Sequence, residues 1–245
     1  MKNRNAFTLI ELLVVVTIIA LLIAIMSPAL SKAMTATQIA RCISNTHQID
    51  TAIAAYLFDS KTAFPSLSTG VVDTRAYYGG KQGTEGGYLG NDRPLNRYVG
   101  VDRLVTTVEP TGPLQLFRCP ADNGAGPGGW NATRTPTIFD CFGASYIYNS
   151  GANDNLDMAL WNRRLPQITS PTRMVTVCDY SFDAWGWKSY HPTVGQPFQY
   201  MYWHSPKDIG FGAVAFVDGH ALYAQATEAS PDYQNGDGYT FVYNK

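Results

Sequence analysis

The sequence predicts an α+β chain: one long N-terminal helix, kinked and apolar in its first half, packed through its second half on a small antiparallel sheet with long loops. Three stretches carry that prediction. Between Phe7 and Met26 only Thr8, Glu11 and Thr17 are not apolar. From Ser31 to Phe58 the pattern turns amphipathic, with Ile39, Cys42, Ile43, Thr46, Ile49, Ile53, Tyr56 and Leu57 recurring at three- and four-residue steps, the period of a half-buried helix. Further on, Asp218-Gly219 stands between two apolar, alternating runs, and this pair suits a tight two-residue hairpin turn.

The first element is a membrane span by length. A helix of about 20 residues rises roughly 30 Å, the thickness of a bilayer's hydrocarbon core. Glu11 lies inside it. An acid at the centre of such a helix costs about 2.5–3.5 kcal/mol on the insertion scale, so it reads as a functional residue in need of a partner. Residues 1–6 carry Lys2 and Arg4 and no acid. The positive-inside rule then places the N-terminus in the cytoplasm and the chain beyond the span outside. A cut between Ala6 and Phe7 would put a new α-ammonium one helical turn before Glu11, on the same face. Two plainer readings compete: a secretory signal peptide with its cut in Ala29-Leu-Ser-Lys-Ala33, and a simple anchor. The run is too long for the first, and the second leaves Glu11 unexplained.

The run AFTLIELLVVVTIIALL resembles the class III signal segment of type IV pilins and type II secretion pseudopilins. The resemblance implies cleavage by a prepilin peptidase between Ala6 and Phe7, N-methylation of Phe7, and a role for Glu11 in aligning subunits. That family has Gly before the cut. Here Ala6 stands in its place, and its methyl group is expected to slow processing. The implied partners are copies of the chain or related pilins, the peptidase, a secretion or pilus assembly platform, and inner-membrane lipid. The implied location is a single pass of the inner membrane with a periplasmic globular domain, followed by a filament in the periplasm or at the cell surface. The expected organisation is a leader at 1–6, a membrane half-helix at 7–27, an amphipathic half-helix at 28–59, and an exported domain at 60–245. Pro28, at a position where the family also has Pro, is expected to kink the helix rather than end it.

Composition narrows the partners. Charged residues are 15% of the chain, against about 25% in soluble domains. The net charge is −1 and the Lys and Arg residues form no stripe, which excludes a nucleic-acid surface. The four cysteines, Cys42, Cys119, Cys141 and Cys178, all lie beyond the span. On the oxidising side an even count favours disulfides with three pairings open, buried thiols being the alternative. No Cys-x-x-Cys spacing supports a zinc or thioredoxin motif. A Cys42–Cys119 bridge would tie the helix to the globular part.

Beyond the helix, which should end near Asp59, the chain is loop-rich. The glycine-dense stretch 77–90 lacks the Gly-Lys-Ser/Thr ending of a phosphate loop. A helical turn is expected at Leu95–Val99 and a short helix at Leu156–Asn162. Strands are expected at Leu114–Cys119, Ala144–Asn149, Arg173–Cys178 and Thr240–Tyr243. Residues 183–203 are dense in Trp and Tyr, a composition that packs a long loop onto a core or makes a binding surface.

A second resemblance is spread over the domain. Cys42-Ile-Ser-Asn45 with Gln48, Phe117-Arg-Cys-Pro-Ala-Asp122, Ser145-Tyr146, Ser170-Pro171, and His204 leading to Phe216-Val-Asp-Gly-His220 are similar to a pseudopilin subgroup with a C-terminal His…Asp-Gly signature. That signature has nine intervening residues, and this chain has thirteen, 205–217. His204 and Asp218 are candidate metal ligands that Asp179 and Asp183 could join. Pseudopilins that hold calcium in a C-terminal loop make Asp232, Asn235 and Asp237 a candidate Ca2+ set by resemblance. In the plainer reading Asp218 serves the turn and His220 the strand surface, with no resident cofactor. No Gly-x-Ser-x-Gly elbow is present, and a filament subunit rather than an enzyme is expected. The competing class is a membrane-tethered exported enzyme or ligand binder that uses the aromatic-rich region and His204/Asp218.

Overall fold

The computed structural model describes residues 8–66, 78–84, 93–101, 112–124, 137–150, 160–184, 203–204, 210–226, 235–236 and 238–242. Helix α1 (Leu9–Asp59) is 51 residues long and runs through Pro28. It stops where the backbone enters the left-handed region at Lys61 (φ 53°) and Thr62 (φ 70°). There the Thr62 amide donates to the Leu57 carbonyl at 2.8 Å, a six-to-one closing bond that satisfies one of the helix's last carbonyls. The chain divides into two compact units, Met1–Thr37 and Gln38–Lys245.

In the first unit, residues 9–26 are exposed on every face of the helix, the large side chains from 46% at Val15 to 79% at Leu9. A core helix of a soluble domain would bury one side. In the second unit α1 does bury one side: Cys42, Thr46, Ile49, Asp50, Ala52 and Ile53. Cys42, Ile49 and Ile53 share a cluster with strand residues Val175, Val177, Val214 and Phe216.

The sheet has four antiparallel strands in sequential order: β1 (Tyr146–Tyr148), β2 (Val175–Asp179), β3 (Phe211–Phe216) and β4 (Ala221–Gln225). Register pairs Tyr146 with Asp179, Cys178 with Val214, and Ala213 with Tyr223. Strand β2 is buried throughout, whereas β4 alternates toward solvent as an edge strand does. Two short strands, β5 (Asn235–Gly236) and β6 (Tyr239–Thr240), form a separate pair. The arrangement is α+β, a long helix and a small antiparallel sheet.

Several local expectations change. Leu114–Cys119 is not a strand: Gly112–Phe117 is a 3-10 helix that buries Leu114 and Phe117, three residues apart and so on one side of a three-residue turn. The hairpin loop has three residues, Val217–Gly219, not two. The Phe216 amide meets the His220 carbonyl at 3.0 Å, the Gly219 amide closes on the Phe216 carbonyl at 2.8 Å, and Gly219 takes φ 95°. That is a type I turn followed by a glycine in the left-handed position. Helix α2 (Ile138–Phe142) was not expected; Thr137 caps it, its side chain accepting from the Asp140 amide at 3.0 Å. The turn expected at Leu95–Val99 is a 3-10 helix over Asn96–Val99. Of the helix expected at Leu156–Asn162, residues 156–159 lie outside the described residues, and Leu160–Asn162 form a turn.

Candidate functional site

Two constellations stand out, one in each unit. In the first, Thr8 and Glu11 lock the start of α1. The Glu11 amide donates to Thr8 Oγ1 at 3.2 Å, while the Thr8 amide and hydroxyl donate to Glu11 Oε2 at 2.9 and 2.8 Å. This is a reciprocal capping box. The Thr-x-x-Glu pattern before an apolar run announces it, and the charge-pair reading of Glu11 passed over it. The box folds the carboxylate back toward the first residues of the chain, where the helix's unsatisfied amides favour negative charge. Ala6 and Phe7 lie outside the described residues.

In the second unit, Cys42 of α1 and Cys119 form a disulfide across 77 residues, with Cα atoms 5.5 Å apart. Cys141 and Cys178 are buried outside that bridge. Against the bridge lie two side chains from other segments. His204 Nε2 is 3.8 Å from Cys119 Sγ and 3.4 Å from Asp179 Oδ2, and the side chains of His204 and Asp179 are wholly buried.

Asp179 ends β2, and its Oδ2 accepts the Ala213 amide of β3 at 2.7 Å. Gly212 makes room for it, since a Cβ there would stand 2.9 Å from the Asp179 Cβ. The loop after Cys119 is clamped by Asp122, which accepts from the amides of Gly124, Ile138 and Phe139 and from Ser145 Oγ, all within 3.0 Å. Burial pushes the Asp122 carboxyl upward against those four donors, which favour the ionised form. Asn45 Nδ2 donates to the Arg118 carbonyl (3.0 Å) and to Tyr146 Oη (3.1 Å), so α1, the Cys119 loop and β1 meet at one side chain. Trp203 Nε1 donates to the Gly124 carbonyl at 3.0 Å, which brings its neighbour His204 to the same loop.

Residues 1–27 match the prokaryotic N-terminal methylation motif. The chain therefore carries a prepilin-type N-terminal methylation segment, and with its exposed apolar helix it is membrane-anchored. Neither a curated protein nor a solved structure matches the chain.

Within the described residues the sequence-predicted ligands separate. His204 sits with Asp179. Asp218 bonds its near neighbour His220 instead, Oδ1 to Nδ1 at 2.5 Å, in the part-exposed hairpin loop. Asp183 is buried on the helical segment 180–184. For the calcium set, Asp232 and Asp237 lie outside the described residues and Asn235 belongs to β5. Of the aromatic-rich stretch, 185–202 lies outside them as well, whereas Trp203 is buried. The pieces Cys42–Asn45, Phe117–Asp122, Ser145-Tyr146 and His204, scattered in sequence, converge around the bridge.

Proposed function

We propose that the chain is a structural subunit of a pilus or of a type II secretion pseudopilus. A prepilin peptidase cuts it between Ala6 and Phe7, Phe7 is N-methylated, and the subunit assembles through α1. The observation that carries this reading is the first half of α1: exposed and apolar on every face, with one carboxylate fixed in its first turn. An all-round apolar helix needs an apolar solvent. The inner membrane supplies it before assembly, with the N-terminus cytoplasmic and the globular domain periplasmic, and the packed helices of sister subunits supply it afterwards. Glu11, already turned toward the chain's start, then meets a methylated amine. The motif over residues 1–27 supports the processing steps. The work is mechanical, and a filament subunit needs no reaction centre of its own.

Mass spectrometry of the N-terminal peptide from native membranes tests the reading. The expected product begins at Phe7 and carries one added methyl group. A mature envelope protein that still begins at Met1 and never leaves the monomeric state would overturn it.

A further inference from the structure

We propose that Cys42, Cys119, Asp179 and His204 form a zinc site in the reduced chain, and that this site and the Cys42–Cys119 disulfide exclude one another. The site lies wholly within Gln38–Lys245 and goes beyond the filament reading. All four residues are buried, and one donor atom from each lies within 4.8 Å of the other three. They offer two sulfurs, an imidazole nitrogen and a carboxylate oxygen, a mixed set that suits Zn2+ and is too soft for Ca2+.

Distances support the geometry. Zinc bonds of about 2.3 Å to sulfur and about 2.0–2.1 Å to nitrogen or oxygen set tetrahedral ligand–ligand edges of roughly 3.3–3.8 Å. His204 Nε2 already stands 3.4 Å from Asp179 Oδ2 and 3.8 Å from Cys119 Sγ. The first separation is long for a hydrogen bond, which favours 2.7–3.2 Å. The two bonded sulfurs are too close for such an edge, and breaking their bond lets them part to about 3.8 Å.

The electrostatics point the same way. Among the described residues, Asp179 Oδ1 and His204 Nδ1 are buried with no hydrogen-bond partner. A buried carboxylate so thinly satisfied is costly, and a cation beside it relieves that cost. The Ala213 amide on Oδ2 orients the carboxylate as outer-shell donors orient metal ligands.

The chemistry balances. A dithiol reductant gives two electrons and two protons to the bridge, and is itself oxidised to a cyclic disulfide; Cys42 and Cys119 become thiols. Zn2+ then displaces one proton from each thiol. Two thiolates, one carboxylate and a neutral imidazole leave the filled site with a net charge of −1. In reverse, a small-molecule disulfide takes two electrons from the two thiolates, is itself reduced to two thiols with two protons from water, and the bridge re-forms as the ion is released. The bridge ties α1 to the loop at Cys119; the metal would also tie in the end of β2 and His204.

The test uses the full-length chain in detergent micelles. It is reduced with dithiothreitol, freed of reductant under anaerobic gel filtration, and titrated with Zn2+ and separately with Co2+. The reduced chain should take up one Zn2+, show two sulfur and two nitrogen or oxygen neighbours at the zinc absorption edge, and give thiolate-to-cobalt charge transfer with Co2+. The bridged chain should bind at least about tenfold more weakly, and so should reduced Asp179→Asn and His204→Ala. Reduced His204→Cys keeps a ligand and should show a third sulfur. If reduction unfolds the chain, Zn2+ should restore its circular dichroism, because metal binding and folding are coupled. A reduced chain that takes up no Zn2+, or fails to recover with it, overturns the proposal. So does equal binding by the bridged chain, or a shell indifferent to positions 179 and 204.

Discussion

Thr176 Oγ1 on β2 donates to Asp50 Oδ1 on α1 at 2.6 Å, a bond between two buried side chains 126 residues apart. The same hydroxyl lies 3.1 Å from the Ala215 carbonyl of β3. One threonine thus links the helix to two central strands. Burial raises the Asp50 carboxyl to about 6, against the Thr176 bond that favours its ionised form. His47 and His220 act to lower it, and Asp218 acts to raise it.

That shift fixes the sign of a pH dependence. Unfolded, Asp50 titrates near 4; folded, near 6. Between those values the folded state binds the extra proton, so this group's stabilisation is present at pH 4, falls as pH rises through 6, and is gone above it. The amplitude is at most about 3 kcal/mol, two pH units at about 1.4 kcal/mol each. Asp50→Asn keeps an acceptor for Thr176 and removes the charge. Denaturation curves from pH 4 to 7.5 should show the variant gaining on the parent as pH rises, by up to that amount. A constant difference across the range would contradict the assignment.

The Cys42–Cys119 bridge closes a loop of 77 residues. Loop-closure entropy for that length is about 4.5 kcal/mol in the chain-entropy account, and native bridges deliver about 2–5. The double variant Cys42→Ala/Cys119→Ala should be less stable than the bridged chain by that much in urea titration, and its own stability should be the same with and without reductant. A loss below about 1 kcal/mol would mean that Asn45, Tyr146 and Asp122 hold the junction without the sulfurs.

The helix was legible because local rules decide it. A long apolar run, a half-buried continuation and an end near Asp59 follow from composition, period and length, and each appears in α1. The strands at 146–148 and 175–179 followed from short buried runs. Leu114–Phe117 misled because two apolar residues separated by one polar position suit a strand, while the 3-10 turn uses the spacing of three between Leu114 and Phe117. The hairpin existed as read, but Gly219 occupies a third loop position that the Asp-Gly pair alone does not reveal. The buried cluster was half legible. The sequence offers His204 and Asp179 as ligands but points His204 first to Asp218. A strand-end carboxylate 25 residues from its histidine gives no periodic signal; the docking of Trp203 on the Gly124 carbonyl brings His204 to the site.

Gly212 and Gly219 separate two reasons for glycine. A Cβ on Gly212 would come within 2.8 Å of the Phe182 Cβ and 2.9 Å of the Asp179 Cβ, whereas on Gly219 it would meet nothing within 4 Å. Gly212→Ala is therefore a packing error in β3 that should cost about 1–3 kcal/mol. Gly219→Ala strains only a backbone at φ 95°, for about 1–2 kcal/mol, and Gly219→Asn should recover part of that because Asn tolerates left-handed conformations. Thermal melts of these three variants and of Gly212→Asn would show it. Rescue of position 212 by Asn, or equal loss at 219 with Ala and Asn, would contradict the distinction.

Glu11 holds two roles that one substitution can part. As the third residue of a capping box its side chain must accept the Thr8 amide, and glutamine does this as well as glutamate. As an assembly residue it must carry charge to meet an amine. Glu11→Gln should therefore keep helix content and membrane insertion and yet fail to form filaments. Thr8→Ala keeps the charge and loses the cap, costing about 0.5–2 kcal/mol of helix start, and should assemble with reduced yield. Sedimentation of sheared filaments, beside circular dichroism of the same variants in detergent, reads both effects. Normal filaments from Glu11→Gln would show that the carboxylate serves the cap alone, and the charge-pairing half of the proposed assembly would fall.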